Sequence, residues 1–187
     1  MWSNVQTVFL DRDGVLNEKA PEGEYVWRLR DFRVLDGVPE AIARLNHAGI
    51  RAVVVTNQRG VAQGRYSMVQ VAALHARFQN LLAFRGARID GFYVCPHGHG
   101  ECNCRKPLPG LFEQARGDFP AIAAQTSVMI GDSLVDIEFG KRLGMRTIRI
   151  EPEAGAGARD PDPAMPQADA RCASLSHAVE LLLGADV

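Results

Sequence analysis

Short apolar, β-branched runs that end abruptly in charged or hydroxyl residues recur along this chain. The first is Val5–Leu10 (VQTVFL), closed by Asp11-Arg12-Asp13. Runs that are apolar at nearly every position, rather than at alternate ones, are the pattern of strands buried on both faces of a parallel sheet. Ile50–Thr56 (IRAVVVT), Ile89–Val94 (IDGFYV), Thr126–Ile130 (TSVMI) and Met145–Ile150 (MRTIRI) predict four more. Between them the period changes. Val38, Ile42 and Leu45 fall on one helical face before Gly49, and Met68, Val71, Leu74, Phe78 and Leu81 form a second stripe. Both stripes read as core packing. Pro109–Arg116, Leu134–Leu143 with Gly144 behind it, and a segment from about Ser174 to Leu183 predict three further helices. Strand and helix alternate, so the expected fold is α/β, a doubly wound, mostly parallel sheet with ligand chemistry at the C-terminal ends of its strands. Glu151–Ala170, which contains AGAGARDPDPAMP, reads as a surface loop.

Composition narrows the picture without redirecting it. At 187 residues the chain suits one domain spanning residues 1–187. Hydrophobic residues at 47% and charged residues at 23% describe a globular protein, not a disordered one. The apolar runs are far too short for a bilayer span, and the opening MWSNVQTVFLDRDG has no signal-peptide pattern, so a cytoplasmic protein with no membrane association is expected. Twenty-one Lys and Arg against 22 Asp and Glu leave a formal charge of −1. No basic block is present to track a nucleic-acid backbone. No heptad or long exposed apolar stripe asks for a second subunit, and a monomer is expected.

The candidate chemistry sits where the apolar runs stop. Asp11 and Asp13, two apart at the end of an extended segment, can point to one side and reach the same atom or cation. Alone, such a pair is more often solvated or capping. Thr56-Asn57-Gln58 follows the second run and Gly131-Asp132-Ser133-Leu134-Val135-Asp136 the fourth; in isolation the first is turn chemistry and the second a helix N-cap. Lys106 follows the third. Acids, a hydroxyl, a lysine and further acids converging on one edge of a sheet make a phosphate-handling site.

The stretch CPHGHGECNCRKP, residues 95–107, holds three of the four cysteines, with Cys172 far away. Cys95-x-His97 and Cys102-x-Cys104 offer two pairs of soft ligands suited to tetrahedral Zn²⁺. Four protein ligands leave no position for water, so the loop 95–104 is expected to be a structural zinc site. No Cys-x-x-Cys supports a redox role, and free thiols are the bland alternative.

In their order and spacing Asp11/Asp13, Thr56, Lys106 and Asp132/Asp136 match the four signatures of the haloacid dehalogenase superfamily, and the chain resembles its phosphatases over about residues 5–150. The strings FLDRDGVLN, VVVTNQRGVAQG, CPH…CNCRKP and GDSLVD are similar to the branch whose members hydrolyse heptose 1,7-bisphosphate or histidinol phosphate. The resemblance implies that Asp11 is a nucleophile forming an aspartyl-phosphate and Asp13 a general acid and base. It implies Mg²⁺ held by Asp11, the main-chain carbonyl of Asp13 and Asp132, with Asp136 either joining them or holding Lys106. Thr56, Asn57 and Lys106 would grip the transferring phosphoryl oxygens. The zinc ligands in that branch correspond to Cys95, His97, Cys102 and Cys104, and His99 stays open as the alternative nitrogen donor.

No large insertion separates the motifs, so no separate capping domain is expected. Selectivity then falls to Glu18–Asp31, where Tyr25 and Trp27 could form a wall, to Arg59–Arg65, and to the zinc loop. Members of the branch often carry Ser or Asp where this chain has Arg59. Arg59 reads either as a solvated surface charge, the more usual fate of an arginine, or, with Arg105 and Arg65, as a contact for a second phosphate, because guanidinium groups bind phosphate bidentately. That favours a phosphorylated sugar, heptose 1,7-bisphosphate, cut at C7 during nucleotide-activated heptose synthesis for a bacterial surface polysaccharide such as lipopolysaccharide or capsule. Histidinol phosphate is the rival, although that enzyme is often fused to a dehydratase and no second domain is visible here. A polynucleotide 3′-phosphatase lacks its basic surface, and a non-catalytic zinc-bearing binding module would leave the four acidic, hydroxyl and lysine motifs without a purpose.

Overall fold

The computed structural model describes residues 2–151 and 166–184. Six parallel strands, β1 (Thr7–Leu10), β2 (Arg51–Asn57), β3 (Gly91–Cys95), β4 (Ser127–Gly131), β5 (Arg146–Ile150) and β6 (Ala170–Cys172), form one sheet in the order β3-β2-β1-β4-β5-β6. Among the described residues five α-helices accompany them: α1 (Val38–His47), α2 (Met68–Ala83), α3 (Gly110–Asp118), α4 (Leu134–Leu143) and α5 (Leu175–Leu183). The fold is α/β and doubly wound, and among the described residues its sheet is wholly parallel.

The pleat of β1 explains why both faces are covered. Val8 and Leu10 enter one apolar cluster with Ile42 and Leu45 of α1, Phe78 and Leu82 of α2, and Val179 of α5. Phe9 points the other way, into a cluster with Leu111 and Phe112 of α3 and Phe139 of α4. All four β1 side chains are buried. Each such apolar side chain contributes about 1.5–3 kcal/mol, and the continuous apolar run is the sequence's record of this two-sided burial.

The five expected strands lie within two residues of their observed bounds. β6 is the addition: ARC is three residues long, half-exposed, and has no apolar run to mark it. The expected surface loop falls mainly on residues 152–165, outside the described residues.

The topology fixes where chemistry can occur. β1 sits centrally, with Leu10 paired to Val54 of β2 on one side and Ile130 of β4 on the other. The chain runs outward in both directions from this strand, so the crevice beyond its C-terminal end is the natural ligand position. Between β1 and β2, and between β2 and β3, the described residues hold one α-helix each and no separate capping sheet. No described helix is long and apolar enough to cross a membrane.

Candidate active site

Beyond β1, Asp11, Thr56, Lys106 and Asp132 line a cavity of about 510 Å³, together with Asp13, Asn57, Arg105 and Asp136. That volume suits a small-molecule ligand. Carboxylate oxygens of Asp11, Asp132 and Asp136 lie within 4.8 Å of one another. The backbone permits this closeness through glycine: Gly14 has φ +88°, and a Cβ there would meet Asp132 Oδ2 at 2.5 Å.

Lys106 is the counter-charge to these acids. Its Nζ donates to Asp11 Oδ1 at 2.8 Å and Asp136 Oδ1 at 2.6 Å, and the residue is only 3% exposed. Burial disfavours its positive charge, but Asp11 and Asp136 outweigh that cost and its pKa rises above the usual lysine value. Burial shifts Asp11 in the upward direction for a carboxyl; Lys106 opposes this, and the charges of Asp136 and Asp13 add to it. A divalent cation among these oxygens would restore the ionised form, and an all-oxygen donor set fits a hard ion such as Mg²⁺.

Asp136 does double work. Its Oδ2 accepts from Ser133 N at 3.2 Å and Ser133 Oγ at 2.5 Å, closing the capping box that starts α4. Both its oxygens are therefore engaged by protein donors, whereas Asp132 Oδ2 meets only the ammonium of Lys19, at 2.6 Å. The N-cap of α4 is thus Ser133 and not either acid, and Asp136 closes the capping box from the third helical position.

Asp13 is held in a cage of donors. The Arg12 guanidinium grips Oδ1 at 2.9 Å and Oδ2 at 3.0 Å through Nη2, Asn17 Nδ2 donates to Oδ1 at 2.9 Å, and Gln58 Nε2 donates to Oδ2 at 3.0 Å. Gln58 also donates to Thr56 Oγ1 at 2.9 Å and accepts from the Tyr66 hydroxyl at 2.6 Å. Arg12, Asn17 and Gln58 are buried, so this orientation is costly to disturb. Sequence reasoning missed these three; their only signal was adjacency to Asp13 and Thr56.

Several expected contacts are redistributed. The Asn57 side chain pairs with the Lys106 main chain, accepting from its N–H at 3.0 Å and donating to its carbonyl at 3.2 Å. Its amide therefore places the lysine that the sequence reading had it assist. Arg105 lines the cavity. Arg59 and Arg65 do not: the Arg59 guanidinium lies against the side-chain amide of Gln63, which also meets the Tyr25 hydroxyl. The reason is local, since the tight turn after Gln58 carries Arg59 away from the strand ends. Tyr25 lines the cavity, while Trp27 stacks on Tyr66 at 6.0 Å.

Behind Lys106, Cys95, His97, Cys102 and Cys104 form a second cluster with all four ligand atoms within 4.8 Å. Cys95 Sγ lies 3.6 Å from Cys102 Sγ, and Cys104 Sγ lies 3.3 Å from both Cys102 Sγ and His97 Nδ1. Ligands bound tetrahedrally to one Zn²⁺ are separated by about 3.5–3.8 Å, so the set fits that ion with little movement. The imidazole in the cluster is His97; His99 Nε2 instead lies 3.5 Å from Arg105 Nη2.

The HAD-hydrolase-like family model matches residues 103–177. A relative from Mycobacterium tuberculosis, named D-glycero-alpha-D-manno-heptose-1,7-bisphosphate 7-phosphatase, is 45% identical over 137 residues, covering 73% of this chain and 72% of its own. The chain belongs to the HAD-like phosphatase family.

An Escherichia coli member of the family, named as the corresponding beta-heptose phosphatase, is 38% identical over 169 residues, covering 82% of this chain and 86% of its own. The D,D-heptose 1,7-bisphosphate phosphatase of B. bronchiseptica, solved with magnesium and phosphate, superposes with a TM-score of 0.84 at 30% identity, over 96% of this chain and 98% of that one.

Proposed function

We propose that this protein is a Mg²⁺-dependent phosphatase removing the C7 phosphate of D-glycero-D-manno-heptose 1,7-bisphosphate. One observation carries the reading: the Asp11 carboxylate faces the cavity between Lys106 and the Asp132 side, with Asp13 fixed two residues on by donors of its own. The names of the relatives support the sugar bisphosphate.

Asp11 attacks phosphorus through a carboxylate oxygen while the bond from phosphorus to the sugar oxygen breaks. Asp13 gives its proton to that departing oxygen, leaving an aspartyl-phosphate. In the second half Asp13 takes a proton from water as it attacks the phosphorus, releasing inorganic phosphate and the free Asp11 carboxylate. Lys106 and the Thr56 hydroxyl neutralise and orient the phosphoryl oxygens. Asp11, the Asp13 carbonyl and Asp132 would hold Mg²⁺, which offsets the repulsion between carboxylate and phosphate dianion. Asp136, with both oxygens engaged, acts as the anchor of Lys106.

Cys95, His97, Cys102 and Cys104 would hold Zn²⁺ as a structural ion, stiffening the loop that delivers Arg105 and Lys106. The product would enter nucleotide-activated heptose synthesis for a surface polysaccharide.

Phosphate release tests the reading, with heptose bisphosphate of each anomer, histidinol phosphate and an aryl phosphate compared at fixed Mg²⁺. Highest kcat/KM is expected on a heptose bisphosphate. Asp11→Asn is expected to lower kcat by about 10³-fold or more; retained turnover in that variant overturns the nucleophile.

A further inference from the structure

The cavity wall after β1 carries a cation that the reaction above does not use. Lys19 lines the cavity, and its Nζ lies 2.6 Å from Asp132 Oδ2, although its side chain is 59% exposed. An exposed ammonium on a four-carbon stem is held by little except this ion pair, and such pairs are weak. Asp132 is also one of the carboxylates that a divalent cation would take. Lys19 and that ion therefore compete for one carboxylate.

Once displaced, the Lys19 ammonium is free to turn along the cavity wall, which Glu22 and Glu24 also line. Arg105 stands on another wall of the same cavity, its guanidinium meeting only the His97 carbonyl and His99 Nε2, each at 3.5 Å. A sugar bisphosphate brings two anionic groups. Asp11 and Lys106 account for the one that reacts, and Arg59 does not line this cavity.

We infer that Lys19 is a specificity residue that binds the second anionic group of the substrate, and that a divalent cation at Asp132 frees it to do so. The inference deepens the bisphosphate reading and rests on it. It also links the two ligands: the metal releases the cation that the distal phosphate needs, so each favours the other's binding.

Two measurements test it on the full chain. The first compares kcat/KM of wild type, Lys19→Ala and Lys19→Arg on heptose bisphosphate and on p-nitrophenyl phosphate, which has no second phosphate. Lys19→Ala is expected to lose about 10- to 100-fold more on the bisphosphate than on the aryl ester, chiefly through KM, with Lys19→Arg recovering most of it. The second is calorimetric titration of Mg²⁺ alone, in which Lys19→Ala should bind the ion about two- to fivefold more tightly, having lost the competitor. Equal losses on both substrates, or weaker Mg²⁺ binding by Lys19→Ala, overturns the inference while leaving the bisphosphate reading intact. A wild type with no preference for the bisphosphate overturns both.

Discussion

Lys106 Nζ donates to Asp136 Oδ1 at 2.6 Å with both side chains 2% exposed. This ion pair sits at the floor of the cavity, and Asp11 completes it from β1. Because neither partner is in water, removing one leaves the other as an uncompensated buried charge. Lys106→Met is expected to lower stability by about 3–5 kcal/mol in metal-free buffer. Chemical denaturation should also show a larger recovery on adding Mg²⁺ for the variant than for wild type, since the cation then supplies the missing charge. Unchanged stability in metal-free buffer would contradict the account.

Gln58 links three groups at once: Asp13, Thr56 and Tyr66. Gln58→Leu removes one of the donors to Asp13 and the donor to Thr56 Oγ1, and leaves the Tyr66 hydroxyl without its acceptor, costing about 2 kcal/mol of stability. A kcat loss of about 10- to 100-fold with KM nearly constant is expected if Asp13 must be aimed. Tyr66→Phe, which keeps the Asp13 contact, should show a smaller kcat loss. Steady-state kinetics on both variants separates aim from stability; equal losses would refute the argument.

The cysteine cluster stands two residues from Lys106, and a Cβ on Gly110 would meet the main chain of Asn103 and Cys104 at 2.8 Å. The loop is therefore packed directly on the start of α3. Stripping Zn²⁺ with a chelator is expected to lower Tm by about 10 °C, corresponding to roughly 3 kcal/mol. Turnover should fall with it, because Lys106 loses its support. Cys102→Ser should reproduce the low Tm and show no further response to chelator. A metal analysis without zinc in the purified protein would dispose of the structural role.

His75 on α2 is 5% exposed and stacks on Phe92 at 4.6 Å, with its Nε2 lacking a partner. Burial pushes its pKa down to about 3, with Arg12 adding to the effect and Asp13 opposing it. The unfolded chain, with an ordinary histidine, binds this proton first as pH falls. The folded state therefore loses stability between about pH 6.5 and pH 3, by up to about 1.4 kcal/mol per pH unit. Asp11 and Asp132, whose carboxyls are raised, act in the opposite direction in metal-free protein. Comparing wild type with His75→Leu isolates the histidine: the variant should lose less stability on acidification from pH 6.5 to pH 4. Parallel curves would mean that the imidazole is protonated in the folded state.

Much of the site was legible because its residues end apolar strands. Asp11, Thr56 and Asp132 each close a run buried on both faces, and parallel strands must bring those ends to one edge. The cysteine cluster was legible for a different reason: its four ligands lie within ten residues, so local chain geometry alone can gather them. β6 was not legible, because a short, half-exposed edge strand carries no apolar record.

By itself, then, the sequence determined which strand ends carry the chemistry, the α/β class and the two sets of metal-competent side chains, since each depends on hydrophobic period or short spacing. Tertiary structure decided the partners. It turned the Asn57 side chain to the Lys106 main chain, sent Arg59 to Gln63, closed Arg12, Asn17 and Gln58 around Asp13, and brought Lys19 to Asp132 across 113 positions of sequence. These contacts depend on where separate loops meet above the sheet, and a side chain's direction there follows from packing that no local pattern encodes.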